Sequence, residues 1–195
     1  MSSRLLACTL FCTLVGALLP AAAARADAPA ATATLLELKQ TTLSYLLVHK
    51  LHEVKATCQT AEGRVSVSPG GPVRVQVRAK VACFDSGNGN RDTHMREVTH
   101  EALHPFVSIK GSIDSLSLPL AAPLEKTLNA KVELNGESQT VAIPITLSQV
   151  GNQIRGKLKF NVSLEAFKIE RPSLLLVKVE DQLTLEGELL FEGPQ

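Results

Sequence analysis

The chain has 195 residues and carries 20 Lys and Arg against 19 Asp and Glu, so its formal net charge is only +1. This balance gives no electrostatic basis for binding nucleic acid or an anionic membrane surface. The chain has no Trp and a single Tyr, Tyr45, which argues against a surface that stacks on sugars or nucleobases.

Residues 1–26 have the pattern of a signal peptide. Arg4 precedes an apolar run over 5–19, and Ala24-Arg25-Ala26 forms an A-x-A cleavage site. Cleavage near Ala26 removes two arginines and no acid, which leaves 18 basic and 19 acidic residues in one domain over 27–195. No other segment reaches the roughly 18 consecutive apolar residues of a spanning helix. We therefore expect a periplasmic or secreted protein without stable membrane insertion.

Alternation of apolar and polar residues predicts strands along most of the mature chain. It is clearest over 73–83, where Val73, Val75 and Val77 alternate with basic and amide side chains. The same period of two recurs over 43–47, 106–111, 128–134, 141–147, 154–162 and 183–191. Turn residues separate these segments at Pro69-Gly70-Gly71-Pro72, Asn135-Gly136 and Gly151-Asn152. This pattern favours an antiparallel all-β barrel or sandwich.

Two cysteines, Cys58 and Cys83, remain after cleavage. If the strands on either side of the turn at 69–72 form a hairpin, these two residues are near neighbours. Around Gly63 the apolar residues shift from even-numbered to odd-numbered positions, as a β-bulge would produce. An oxidising compartment favours a disulfide over two buried thiols, and the lack of a C-x-x-C spacing argues against a redox role.

The segment 91–104 predicts a short inserted helix that lies across one end of the sheet. Its apolar face would comprise Met95, Val98, Ala102 and Leu103. The segment ends in the letters HEALH, which match the H-E-x-x-H pattern of zinc hydrolases.

In that zinc hypothesis His100 and His104 bind the metal and Glu101 is the general base. Such chemistry needs both histidines on one helix face, but Pro105 follows His104 directly and an alternating strand comes next. No third ligand stands at a recognisable spacing. We therefore expect no metal and no catalytic residue here, and interpret the three side chains as solvated or helix-terminal groups.

The run Asn90-Arg91-Asp92-Thr93-His94-Met95, followed by a helix and then by Pro105 and the strand to Gly111, resembles the YceI-like family. Family members commonly show an Arg-Asp-x-His-Leu run at this place. The chain departs from the family at Asn135-Gly136, where His-Gly is frequent. It departs again at 164–169, where Leu164 and Ala166-Phe167-Lys168-Ile169 replace an arginine and an Asp-Phe-Gly-Ile-like run.

The resemblance implies a lipocalin-like, eight-stranded antiparallel β-barrel that holds a polyisoprenoid, an isoprenoid quinone or a fatty-acid derivative. Pattern alone would assign the inward-facing residues to a packed core; the resemblance makes them candidate ligand contacts, and no cofactor is implied. Arg91 and His94 would meet the head group, or equally would hold the helix in place. The inward rows comprise Leu43, Tyr45, Leu47, Val75, Val77, Val132, Ile143, Ile145, Leu158 and Phe160.

Three functional hypotheses follow. The first is an exported carrier or sequestering protein that encloses an apolar or amphiphilic ligand. The second is an exported structural or partner-binding barrel with a filled core, and the third is the zinc hydrolase. The sequence is also compatible with a homodimer.

Overall fold

The computed structural model describes residues 33–49, 52–174 and 177–193. The predicted signal peptide lies outside these residues and stays a prediction. In the described part of the chain, no helix is long and apolar enough to cross a membrane.

Eleven strands and one α-helix make up the described fold. The helix α1 spans Gly89–Val98, and short 3-10 turns lie at Val81–Cys83 and Glu165–Phe167. The strands are β1 (Thr34–His49), β2 (His52–Cys58), β3 (Glu62–Val67), β4 (Val73–Lys80), β5 (Phe106–Ile113), β6 (Leu124–Leu134), β7 (Glu137–Val150), β8 (Gln153–Ser163), β9 (Ser173–Leu174), β10 (Val177–Lys178) and β11 (Gln182–Glu192).

The strands form a closed eight-stranded antiparallel barrel, as predicted. The order β11-β8-β7-β6-β5-β4-β3-β1 is closed by pairing of β1 with β11. β2 and β3 pair with successive parts of β1 in one register and act as a single interrupted wall strand. The interruption lies at 59–61, just before Gly63. The neighbouring strand β1 has an irregularity between Leu38 and Gln40. On both walls the inward-facing residues therefore shift by one position at this level of the barrel.

The predicted alternation is confirmed on β4. Val73 and Ala79 are buried, whereas Arg74, Gln76 and Arg78 are exposed. The predicted strand over 73–83 is three residues too long, because residues 81–83 turn as a 3-10 helix. This turn leads the chain out of the sheet and towards α1.

The inserted helix is present, but it ends at Val98 instead of continuing to His104. The Thr99 hydroxyl donates to the Met95 carbonyl at 2.7 Å, and His100 follows with φ +47°, a left-handed conformation that ends the helix. The predicted packing of Ala102 and Leu103 is therefore wrong. Both are exposed, Leu103 by 75%.

We call the end that carries α1, the Asn135-Gly136 turn and the segment 164–181 the upper end. The opposite, lower end carries the turns at 68–72 and 151–152 and the segment 114–123. Leu116 of that segment is buried against the core and helps to close the lower end.

One interface of the barrel wall is only half paired. β6 and β7 pair up to Leu134 and Glu137, whereas pairing of β7 with β8 stops at Ile145 and Leu158. The next residue towards the upper end is Pro144, which has no backbone N–H to donate. Above this point β7 and β8 are bridged by the segment 164–169, to which Gln139 donates a 2.9 Å hydrogen bond at the Ala166 carbonyl.

Candidate ligand-binding cavity

The barrel interior contains two neighbouring cavities with mainly apolar walls. The upper cavity lies beneath α1 and has a volume of about 380 Å³. The lower cavity lies deeper between the strands and has a volume of about 110 Å³. Three described residues line both cavities: Phe84, Val107 and Leu185.

The roof of the upper cavity is α1, which is fixed at its start by two side chains. Asn88 caps the helix, accepting hydrogen bonds from the Asn90 and Arg91 backbone N–H groups at 3.1 and 3.2 Å. The buried Asp92 accepts from the Ser86 N–H at 3.1 Å. The two neighbouring residues therefore differ in position: the Asp92 side chain is buried in the fold, whereas Arg91 lines the upper cavity.

The predicted head-group residues, Arg91 and His94, both line the upper cavity and are both exposed. They lie three residues apart on α1 and therefore share one helix face. His94 Nδ1 is 3.7 Å from the carboxylate of Glu97, which lies three residues further along α1. Contact of either residue with a ligand stays a prediction.

Tyr45 lies inside the upper cavity and contacts the residue that separates the two cavities. Its ring centroid is 5.7 Å from that of Phe84. Burial, with the nearby Asp92 carboxylate, raises the pKa of Tyr45 to about 12, although the Arg91 guanidinium acts in the opposite direction. The phenol is therefore neutral across the physiological range and can donate or accept a hydrogen bond.

The structure brings most of the predicted contact residues to the two cavities. Tyr45 and Leu47 line the upper one. Val132 and Ile143 are fully buried in the core and line neither cavity. The other members of the predicted set line the lower one: Leu43, Val75, Val77, Ile145, Leu158 and Phe160.

Several cavity residues were not predicted. Val107 and Leu185 alternate correctly on their strands, so the period of two could have found them. Phe84 lies outside any strand, directly after the 3-10 turn, and no periodic signal marks it. Buried His49 and Thr99 also line the upper cavity near its roof.

Cys58 and Cys83 form a disulfide with their Cα atoms 5.2 Å apart. The bond lies at the interruption between β2 and β3 and joins it to the 3-10 turn before Phe84. It therefore ties the wall of the barrel to the start of the segment that carries α1.

The HEALH segment lacks the geometry of a zinc hydrolase. His100 follows the end of α1 in a left-handed conformation, so the two histidines do not share a helix face. The ring of His104 packs at the Asn135-Gly136 turn, where a Cβ added to Gly136 would lie 2.7 Å from its Cε1 atom. Among the described residues, no group of three or more His, Cys, Asp and Glu is placed to hold a metal ion.

Known solved structures share this architecture at low sequence identity. A polyisoprenoid binding domain from Saccharophagus degradans, implicated in plant cell wall breakdown, is 14% identical with a TM-score of 0.68, over 82% of this chain and 98% of that one. BcnA of Burkholderia cenocepacia is 15% identical with a TM-score of 0.64, over 77% of this chain and 95% of its own. The YceI protein of Campylobacter jejuni is 13% identical with a TM-score of 0.58, over 76% and 89%.

No curated protein matches the chain. The sequence profile of the YceI-like domain, however, matches residues 35–191, which is nearly the whole barrel. The chain therefore belongs to the YceI-like domain family.

Proposed function

We propose that the mature chain is an exported carrier that encloses the apolar tail of an amphiphile and leaves its head group beneath α1. The ligand class is a polyisoprenoid, an isoprenoid quinone or a fatty-acid derivative. The observation that carries this proposal is the apolar upper cavity, which adjoins the lower one at Phe84, Val107 and Leu185.

The size and chemistry of the upper cavity support a small-molecule ligand. Its 380 Å³ falls within the roughly 300–1,000 Å³ typical of ligand pockets. Each buried methylene contributes about 0.8 kcal/mol, so an aliphatic tail binds by desolvation alone. Arg91 and His94, at the exposed face of α1, supply donors for a head group.

Family membership supports the same ligand class. The similar domain from Saccharophagus degradans is described as a polyisoprenoid binding domain, although it shares only 14% identity with this chain. Export is supported by the signal-peptide pattern over 1–26 and by the Cys58–Cys83 disulfide, a bond that persists in oxidising compartments.

One observation favours the second hypothesis, a filled structural barrel. The lower half of the interior leaves only about 110 Å³ between buried side chains such as Leu36, Leu128 and Phe191. A filled barrel would bind no tail, and its partner would contact the outer surface instead.

Native mass spectrometry of the mature protein, purified without detergent and then extracted with organic solvent, tests the proposal. We expect a co-purifying mass that extracts as an isoprenoid, quinone or acyl compound, and a polypeptide mass that starts near Asp27. A bare polypeptide would favour the filled barrel, and an added mass of one zinc ion would return the hydrolase hypothesis to consideration.

A matched pair of variants locates the site. Leu47→Trp adds bulk to the upper cavity, whereas Val150→Trp adds an indole at the last residue of β7, which is 82% exposed. We expect the first variant to lose the co-purifying mass and the second to retain it. Retention by both variants, with circular dichroism showing both folded, would place the ligand elsewhere.

A further inference from the structure

Phe84 stands at the junction between the two cavities. It is only 8% exposed and lines both cavities, as Val107 and Leu185 also do. Its ring is also in contact with Tyr45, which faces Leu185 across the β1–β11 pairing. We call this boundary between the two cavities, which is lined by Phe84, Val107 and Leu185, the constriction.

The backbone on both sides of Phe84 is fixed to the same strand. Cys83, the residue before it, is disulfide-bonded to Cys58 at the end of β2. Asp85, the residue after it, exchanges two backbone hydrogen bonds with Thr57, at 2.9 and 3.0 Å. Phe84 itself donates its N–H to the Val81 carbonyl at 3.3 Å. The backbone position of Phe84 is therefore fixed relative to β2, and its side chain has only two torsions.

We infer that Phe84 is a specificity-determining residue that limits the length of the ligand tail; this inference rests on the proposed carrier function. A tail that ends above the ring fills the upper cavity without disturbing the constriction. A longer tail must pass between Phe84, Val107 and Leu185, and it then enters a space less than a third as large.

The inference predicts a break in the dependence of affinity on tail length. While the growing tail stays in the upper cavity, each added pair of methylenes raises affinity roughly tenfold. Once the tail end meets the Phe84 ring, further methylenes add nothing. The chain thus selects single-tailed amphiphiles whose tails match the upper cavity.

The test uses saturated fatty acids from octanoate to octadecanoate, competing with a fluorescent apolar probe bound to the disulfide-intact protein. We expect wild type to gain affinity with length and then to level off. Phe84→Ala joins the cavities and should move the break to longer tails, with at least a tenfold gain for the longest acid. Phe84→Leu is the milder variant, for use if Phe84→Ala does not fold.

Phe191→Ala is the matched control, because Phe191 is equally buried and lines only the lower cavity. It should leave the break where it is in wild type. A break that stays in place in folded Phe84 variants, while wild type binds the acids, would overturn the length limit and leave the carrier function standing. Absence of wild-type binding at every length would overturn the carrier function itself.

Discussion

His100 Nδ1 lies 2.8 Å from the side-chain oxygen of Asn135, and this contact joins the connection after α1 to the β6–β7 turn. The Asn135 amide then donates to the Phe167 and Lys168 carbonyls at 3.0 and 3.2 Å. Three separate loops of the upper end therefore meet at one buried asparagine. The first histidine of HEALH serves to hold these loops together.

Replacement of Asn135 should measure this junction. Asn135→Gly removes three side-chain hydrogen bonds but tolerates the native φ of +53°, so we expect it to lower the free energy of unfolding by about 1–3 kcal/mol. Asn135→Ala should lose about 1–2 kcal/mol more, because alanine disfavours the left-handed conformation. Urea unfolding measures both values. A glycine variant as stable as wild type would show that the side-chain bonds contribute nothing.

The packing of His104 on Gly136 gives a second prediction. Gly136→Ala should lower the free energy of unfolding for two reasons. The native φ of +75° disfavours alanine, and the new Cβ would collide with the His104 ring. In the double variant Gly136→Ala/His104→Ala the collision is gone and only the backbone strain, about 1 kcal/mol, remains. A double-mutant cycle by thermal or urea unfolding measures the difference. Strictly additive effects would mean that the two side chains do not meet.

The disulfide should contribute substantially to stability. Cys58 and Cys83 are 25 residues apart, and closing a loop of this length in the unfolded chain corresponds to about 3–4 kcal/mol in the chain-entropy treatment. We expect Cys58→Ala/Cys83→Ala to unfold at correspondingly lower urea concentration. Wild type measured with and without reductant should show the same loss, whereas the double variant should not respond to reductant. Free thiols in the native exported protein would contradict the bond.

Tyr45 can be followed by absorbance because it is the only tyrosine and the chain has no tryptophan. We expect its phenol to titrate with a midpoint near pH 12, since burial and the Asp92 carboxylate oppose ionisation. The folded state then holds this proton more tightly than the unfolded state, whose pKa is about 10. Between these values the unfolded chain loses its proton first, so stability falls as pH rises.

Variants of the two charged neighbours separate the causes. Asp92→Asn removes a charge that raises the pKa of Tyr45, so the midpoint should move down, whereas Arg91→Gln should move it up. A wild-type midpoint at the ordinary value of 10.0 in the folded protein would show that the ring is not buried beneath α1.

Much of the barrel could be predicted because every second residue of a half-buried strand faces inward and is apolar. β4 shows this most clearly, with Val73 and Ala79 inside and Arg74 and Arg78 outside. The alternation of apolar and polar residues does not show whether an inward-facing residue borders a cavity or lies in the packed core. Val132 and Ile143 face inward like Val75, but they lie where neighbouring side chains fill the space, so they line no cavity.

The end of α1 could not be predicted from the same kind of pattern. Left-handed caps are usually glycine or asparagine, and here the position is held by His100. Its conformation is accompanied by a contact with Asn135, 35 residues away in sequence. Phe84 was missed for a related reason: its place is fixed by the disulfide and by the Thr57–Asp85 pairing, and both depend on the folded sheet.

We call the half-paired interface between β7 and β8, where strand pairing stops at Ile145 and Leu158, the seam of the barrel wall. Ile145 and Leu158, the last pair before the strands separate, line the lower cavity inside and a groove of about 470 Å³ outside. The upper part of the seam is held by the segment 164–169 through side-chain contacts such as that of Gln139. This part of the wall is therefore closed by a loop that is anchored through the buried Phe167, and not by a ladder of strand pairing.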